Sequence, residues 1–224
     1  MAIRLPVHHP ADDQLMAYAT GEMAEAQSLL VATHLALCPA CRRQVSDYEA
    51  LGGQLVAGLQ DAPLTEESLS RTLARLDGFA MDSAAAPTVR AAQPVPGTGV
   101  LPQPLRDYMS RAWAEKATWR KAMPGLRTLK LKAEGAKVWM MEVAAGKPIP
   151  HHGHTGQEMV LVLSGGYRDG PTGYGPGDVH ASGPETIHEP VADQDGPCLC
   201  LVMVEGSIRP RSLVGRVISR LLGY

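Results

Sequence analysis

The sequence lacks long apolar runs and any strong excess of charge of one sign. No uninterrupted apolar stretch among its 224 residues approaches the roughly 20 that a membrane-spanning helix needs. Residues 1–6 lack the apolar core of a signal peptide. The net charge is −2 and the lysines and arginines are scattered, which leaves neither a nucleic-acid-binding stripe nor an acidic tail. We therefore expect a cytoplasmic protein that contacts neither membrane nor nucleic acid directly.

Cysteine is also scarce, and its placement argues against a secreted disulfide framework. The four cysteines form two close pairs far apart in the sequence, Cys38 with Cys41 and Cys198 with Cys200. This arrangement suits a reducing compartment, where thiols bind metal or pack in a core. Cys198 and Cys200 alternate onto one face of a predicted strand, about 7 Å apart by strand rise, which is long for a disulfide. Core packing and a redox role both fit this second pair.

The pattern of apolar residues changes along the chain and predicts two domains of different class. Helical spacing extends over 10–20, 22–37 and 39–59, and a fourth helix ends at Gly78. Alanine and proline then dominate a segment that we interpret as a linker, 81–105. The predicted domains are a helical one at 1–80 and a second one at 106–224.

The second domain has the pattern of an antiparallel barrel or sandwich. Short apolar strands alternate with glycine-rich turns through most of it, and only its last segment, 212–222, returns to helical spacing. The predicted strands cover 128–131, 136–143, 159–163 and 198–204. The whole chain is therefore predicted to be an α+β protein of two domains, with a small helical bundle preceding the β domain.

The run from His34 to Cys41 reads His-x3-Cys-x2-Cys, which is typical of a structural zinc site. On a helix, His34 and Cys38 lie four residues apart and point to one face. The proline after Cys38 fits the first turn of a following helix, and Cys41 lies inside that turn. Tetrahedral zinc needs a fourth ligand, for which His8 and His9 are candidates. The alternative is two buried cysteines beside an unrelated histidine.

A second group of metal-ligand residues lies in the β region. Its first two histidines alternate by two, which places them on one face of a strand, and its glutamate begins an apolar strand. Three imidazoles and one carboxylate suit zinc, which we expect, but also iron, manganese, nickel or copper. His151 and His180 are competing nitrogens for which we expect surface or packing roles. The candidate ligands are His152, His154, Glu158 and His188.

The β region resembles the cupin family. Gly146, His152, His154, Glu158 and Gly165 have the spacing of the first cupin motif, Gly-x5-His-x-His-x3-Glu-x6-Gly. The second cupin motif is matched less closely, because its usual proline, glycine and asparagine are replaced. The resemblance implies a jelly-roll barrel that binds a divalent metal through the two histidines and the glutamate of the first motif and the histidine of the second, His188.

The N-terminal run resembles the zinc-binding anti-sigma domain, and the two domains in this order resemble the ChrR group of anti-sigma factors. In this group the upstream ligand histidine stands nine residues before a helical tyrosine, so Tyr18 identifies His9 rather than His8. The resemblance implies a regulator, not an enzyme, that holds an extracytoplasmic-function sigma factor inactive. It also implies release of that factor by oxidative stress such as singlet oxygen or organic hydroperoxides.

Two functional domains of this kind are expected to act separately. The thin helical domain would depend on zinc, would present an apolar face to the sigma factor, and should inhibit without the cupin domain. The cupin, on its Pro-rich tether, would be the sensor. Candidate contact residues on the helical domain, some of which must belong to its core, are Leu15, Met16, Leu29, Leu30, Val31, Leu69, Leu73 and Leu76.

Two other functions are compatible with the same motifs. Cupins with this ligand set include metal-dependent dioxygenases and isomerases, and such an enzyme would carry the zinc domain as an accessory. A metal-dependent DNA-binding repressor is the second alternative, against which the lack of a basic stripe counts.

Overall fold

The computed structural model describes residues 5–78 and 101–211, with five helices and twelve strands. The predicted helix at 212–222 and most of the predicted linker lie outside these residues. The helices are α1 (Asp12–Thr20), α2 (Glu25–Leu37), α3 (Pro39–Ala57), α4 (Glu67–Gly78) and α5 (Leu105–Ala114). The strands are β1 (Arg120–Met123), β2 (Leu126–Leu131), β3 (Lys137–Val143), β4 (His152–His154), β5 (Glu158–Ser164), β6 (Tyr167–Asp169), β7 (Thr172–Tyr174), β8 (Val179–Ser182), β9 (Ile187–His188), β10 (Val191–Ala192), β11 (Cys198–Val204) and β12 (Ile208–Pro210).

The predicted α+β architecture is confirmed. The main sheet has six antiparallel strands in the order β1-β2-β3-β11-β5-β8, and two three-stranded sheets, β10-β6-β7 and β12-β4-β9, accompany it. The first four helices match the predicted ones to within a few residues at each end.

Strand β11 is buried on both faces of the main sheet. Every residue of β11 is buried, although successive side chains of a strand point to opposite faces. Cys198, Cys200 and Val202 face a cluster inside the barrel. Leu201 and Met203 face a second cluster, which also contains residues of α2 and α5. The unbroken apolar run of β11 therefore reflects helices packed on the outer face of the sheet.

Helix α2 connects the helical region to the barrel. Ala26, Leu29 and Leu30 are buried in the same cluster as Leu161 and Leu201 of the main sheet. Leu29 and Leu30 are candidate contact residues of a set in which some members were expected to be core, and the structure places both in a core shared with the barrel. The two predicted domains are thus in contact, although their exact division at 80 and 106 stays a prediction.

Helix α5 was not predicted from the sequence, and it begins at the residue where the predicted linker ends. Leu101, Leu105 and Met109 recur every four residues and are buried against the outer face of the sheet. Pro102 and Pro104 lie within this apolar repeat, and the segment was predicted to be a linker because prolines are typical of linkers. Pro104 in fact stands at the N-cap of α5, where its missing N–H costs no helical hydrogen bond.

Candidate metal centres

Three segments bring the N-terminal ligand candidates together. His9 lies in the extended segment before α1, and His34 lies in the last turn of α2. Cys38 is the N-cap of α3, with an extended backbone, and its sulfur accepts a hydrogen bond from the Cys41 N–H at 3.5 Å. The proline between the two cysteines occupies the first turn of α3, as predicted.

The geometry of this cluster fits a tetrahedral ion. The ligand atoms of His9, His34, Cys38 and Cys41 all lie within 4.8 Å of one another. His9 Nδ1 lies 3.5 Å from Cys38 Sγ and 3.4 Å from Cys41 Sγ, and His34 Nε2 lies 3.3 Å from Cys41 Sγ. Ligands of tetrahedral zinc at its usual bond lengths are about 3.3–3.8 Å apart. His8 points elsewhere, with its ring centroid 4.6 Å from that of Tyr174.

Burial shifts the pKa values of two of these groups, His34 and Cys41. It lowers the pKa of His34 to about 4, so the imidazole is neutral at pH 7 and has a lone pair to give. It raises the pKa of Cys41 to about 12, and the neighbouring Cys38 adds to this shift. A divalent cation bound by the four side chains would offset the cost of forming the thiolates, so this set of donors suits a metal.

The second group converges inside the barrel from three strands. His152 and His154 lie on β4, Glu158 begins β5 as predicted, and His188 lies on β9 directly opposite His152. All four side chains are buried, and their ligand atoms lie within 4.8 Å of one another. That they bind a metal stays a prediction, for which the structure places the donors together.

Hydrogen bonds to the outer nitrogens orient two of these imidazoles. His152 Nδ1 lies 2.8 Å from the Pro150 carbonyl, and His188 Nδ1 lies 2.9 Å from Asp169 Oδ2. Since both oxygens are acceptors, each Nδ1 is the donor. Each Nε2 then carries no proton in the neutral ring and faces the centre of the cluster. The two Nε2 atoms are only 3.2 Å apart, an arrangement that a shared cation stabilises.

The charges of the cluster also favour a cation. Burial alone would raise the pKa of Glu158, but the imidazoles of His154 and His188 outweigh it, so the pKa is lowered and the carboxylate stays ionised. Burial lowers the pKa of His188, and Glu158 with Asp169 more than reverses that shift. His154 is fully buried, and its Nε2 lies 3.2 Å from Glu158 Oε2. A buried imidazole nitrogen this close to a carboxylate oxygen suits two ligands of one ion.

Asp169 and its neighbours were not predicted. Its Oδ2 holds His188 at 2.9 Å and lies 3.7 Å from His180 Nε2. His180 also stacks on Tyr174 and lies 3.0 Å from the Tyr167 hydroxyl, so it packs beside the cluster, as expected. Nothing local in the sequence marks Asp169, because it lies on β6 and meets His188 of β9, a short strand of a different sheet.

Two family models match the chain, one in each of its two regions. A ChrR Cupin-like domain model matches residues 110–207, and a zinc-finger model matches residues 10–42. The anti-sigma-E factor ChrR of Cereibacter sphaeroides is 36% identical over 212 residues, which cover 94% of this chain and 95% of that protein. The chain belongs to the ChrR family of anti-sigma factors.

A solved structure from the ChrR family has the same fold. The crystal structure of Rhodobacter sphaeroides SigE in complex with the anti-sigma ChrR contains a chain that is 35% identical to this one. It matches 88% of this chain and 98% of that chain, with a TM-score of 0.71. The predicted cupin class of the β domain is thereby confirmed.

In this ChrR-family chain the barrel encloses an apolar cavity of about 80 Å³ beside the second cluster. His152, Glu158 and His188 form part of its wall, and most of the remainder is aliphatic. Cys198 and Cys200 also line it, as free thiols whose sulfurs lie 3.5 Å apart. The hydrogen bond between Cys200 and Cys198, together with burial, raises the pKa of Cys200, which disfavours its thiolate.

Much of the exposed apolar surface of the described residues lies on α3 and α4 and in the segment between them. No described residue of α4 is buried, although its leucines recur at the spacing of one helical face. Four of the predicted contact residues are buried instead, namely Leu15, Leu29, Leu30 and Val31. The exposed large apolar residues here are Leu51, Leu55 and Val56 of α3, Leu59 just after it, and Leu69, Leu73 and Leu76 of α4. Within residues 5–78 and 101–211, no helix combines the length and apolarity needed to cross a membrane.

Proposed function

We propose that this chain is a cytoplasmic anti-sigma factor that binds an extracytoplasmic-function sigma factor and blocks its access to RNA polymerase. The observation that carries the proposal is the likeness, over nearly the whole chain, to an anti-sigma factor whose crystal structure includes SigE. Inhibition of this kind needs a binding surface and no catalytic step. The chain is therefore a regulator, and its metal sites serve structure and sensing.

The exposed face of α3 and α4 is the proposed sigma-binding surface. Exposed leucines on α4 cover a contiguous stripe at Leu69, Leu73 and Leu76. A stripe of this kind costs solubility in a free protein and is typical of a helix that docks in a groove of its partner.

The N-terminal cluster is proposed to bind one structural zinc through His9, His34, Cys38 and Cys41. Four protein ligands leave no position for water, as in structural sites. The small core that surrounds the cluster contains few large side chains, among them Leu15 and Val45. Zinc would hold this core together and so preserve the surface that α3 presents.

The barrel cluster is proposed to bind a divalent metal, which we expect to be zinc, and to be needed for release of the sigma factor under oxidative stress. Three imidazoles and a carboxylate leave a coordination position open if the ion has five or six ligands. The apolar cavity gives a small oxidant, such as singlet oxygen or an organic hydroperoxide, a route to this ion and to the two thiols.

Truncation of the α4 stripe tests the binding surface. Purified Leu69→Ala and Leu73→Ala proteins should bind the cognate sigma factor at least about tenfold more weakly in a calorimetric titration, because central apolar contacts dominate such interfaces. Arg71→Ala truncates the opposite side of α4 and should bind like the wild type. Unchanged affinity in both leucine variants would reject α4 as the contact.

The apolar cavity beside the ligand cluster also favours a second function, a metal-dependent cupin dioxygenase or isomerase. Such an enzyme would turn over a small substrate without the sigma factor. Metal-loaded protein can be assayed against oxygenated sugars and aromatic diols, with product detected by mass spectrometry. Turnover that is lost in Glu158→Ala would establish this activity.

A further inference from the structure

A turn of the barrel lies directly against the N-terminal metal cluster. This β7–β8 turn, residues 175–178, connects Thr172–Tyr174 to Val179–Ser182. Its backbone is fixed to the barrel through β5, because Val162 exchanges hydrogen bonds with Gly177 and Asp178 at 2.8 and 3.0 Å. The turn is therefore a firm part of the β domain.

Asp178 of this turn holds the segment that carries the first zinc ligand. Asp178 is fully buried, and its Oδ1 accepts hydrogen bonds from the backbone N–H groups of Val7 at 2.7 Å and His8 at 3.0 Å. The Val179 N–H donates in turn to the His8 carbonyl at 3.0 Å. Because residues 5–11 belong to no helix or strand, these bonds with the barrel fix the position of His9.

The neighbouring residue of the turn orients the second ligand. The Gly177 carbonyl accepts a hydrogen bond from His34 Nδ1 at 2.8 Å, which leaves His34 Nε2 toward the two cysteines. Gly177 has φ +89°, and a Cβ there would lie 2.5 Å from Pro6 Cγ. A close backbone approach of this kind needs glycine.

We propose that the β7–β8 turn positions two of the four ligands of the N-terminal zinc site, His9 and His34, while the helices position the cysteines. This proposal rests on the zinc site proposed above. Outer partners of metal-bound histidines commonly alter metal affinity by about 10–100-fold. The affinity of the helical region for zinc therefore depends on its contact with the barrel.

Coupling of this kind is reciprocal and gives the barrel a means to influence the helices. If contact with the turn strengthens zinc binding, then zinc must strengthen the contact by the same factor. The turn also faces the second cluster, because Tyr174 lies between His8 and His180, with ring centroids 4.6 and 4.4 Å away. The ring of His180 lies 5.6 Å from that of His188. A displacement of the turn would thus reach both metal sites.

The test is a cobalt titration of the full chain. Cobalt bound by thiolates gives a charge-transfer absorption, and the second cluster has no cysteine ligand, so this band reports the N-terminal site alone. Asp178→Asn should weaken cobalt binding at this site by about tenfold or more. Asp195→Asn makes the same change in an exposed barrel loop and should bind like the wild type.

A second variant keeps the inference testable if Asp178→Asn fails to fold. Val7→Pro removes one N–H donor to Asp178 and leaves the barrel unaltered, whereas Val7→Ala keeps that donor. Weaker cobalt binding by Val7→Pro than by Val7→Ala is the expected result. Equal affinity in folded Val7→Pro and Val7→Ala proteins would overturn the inference. A wild-type chain without any thiolate–cobalt band would instead reject the zinc site on which the inference rests.

Discussion

At the scale of single residues, both ligand groups combine short sequence spacing with partners that lie far away in the chain. The motif residues can be predicted because local structure brings them together: a helix turn for Cys38 and Cys41, and a strand for His152 and His154. The residues that hydrogen-bond the outer nitrogens of the histidines cannot be predicted in this way. Gly177 meets His34 across 143 positions, and Asp169 meets His188 between two short strands. Only the folded barrel makes those contacts.

Loss of both N-terminal thiols should release zinc and abolish sigma binding together. The Cys38→Ser/Cys41→Ser protein keeps two imidazoles, which are too few ligands for a structural site. Zinc content by mass spectrometry and sigma binding by calorimetry measure the two effects. Cys198→Ala/Cys200→Ala is the matched control and should keep the N-terminal zinc. Tight sigma binding by the zinc-free serine protein would contradict the structural role.

Glu158 separates sensing from inhibition. Glu158→Ala removes the only carboxylate among the four barrel ligands, so the variant should lose its barrel metal, keep basal repression, and respond weakly to singlet oxygen or an organic hydroperoxide. A sigma-dependent reporter measures both states, with metal analysis of the purified protein. Glu185→Ala makes the same change in an exposed loop and should respond normally. Full induction with an empty barrel site would reject the sensing role, and constitutive output would show that the site supports repression.

At the scale of elements, periodicity predicts the long helices and strands well and fails where two signals conflict. The alternation of β11 and the apolar faces of α2 and α3 are strong enough to define those elements. The start of α5 carries prolines, and its apolar repeat was therefore assigned to a linker. Periodicity also cannot tell which partner covers an apolar face, which is why the buried face of α2 was expected to bind another protein.

The contact between α2 and the barrel should make a large contribution to stability. Leu30→Ala removes a fully buried side chain from the shared core and should cost about 2–5 kcal/mol in the free energy of unfolding. Leu64→Ala removes the same atoms from a side chain that is 82% exposed and should have little effect. Urea denaturation of the metal-loaded proteins measures both. Equal stability of the two variants would show that α2 does not share a core with the sheet.

At the scale of the whole molecule, the two halves are joined more closely than a mobile tether would require. Glu25 of α2 accepts hydrogen bonds from the Tyr108 hydroxyl of α5 and from the Glu134 backbone N–H, and the Ala26 N–H donates to the Glu134 carbonyl. The barrel therefore contacts the helical region at several places, among them the α2 face, the β7–β8 turn and Gln14 of α1. A release signal that acts on the barrel must alter these contacts if it is to change the affinity of the helical region for a sigma factor.

The isolated helical region should still inhibit, but with reduced stability and with weaker zinc binding, because it lacks the β7–β8 turn. A fragment of residues 1–80 contains all four N-terminal ligands and the exposed face of α3 and α4, which are the proposed requirements for binding. It also exposes Leu29 and Leu30, so its melting temperature should fall by about 4–8 °C for each kcal/mol lost. Calorimetry and a transcription assay measure these properties. A folded, zinc-loaded fragment that fails to bind would show that the barrel forms part of the inhibitory surface.

Inhibition of a sigma factor by the intact chain is the central claim, and transcription in a purified system measures it most directly. RNA polymerase core enzyme, a cognate extracytoplasmic-function sigma factor and its promoter supply the reaction. Zinc-loaded chain should abolish transcripts at a one-to-one ratio with the sigma factor, and leave transcription by the housekeeping sigma factor unchanged. Undiminished sigma-dependent transcription at a large excess of folded, zinc-loaded chain would contradict the proposed function.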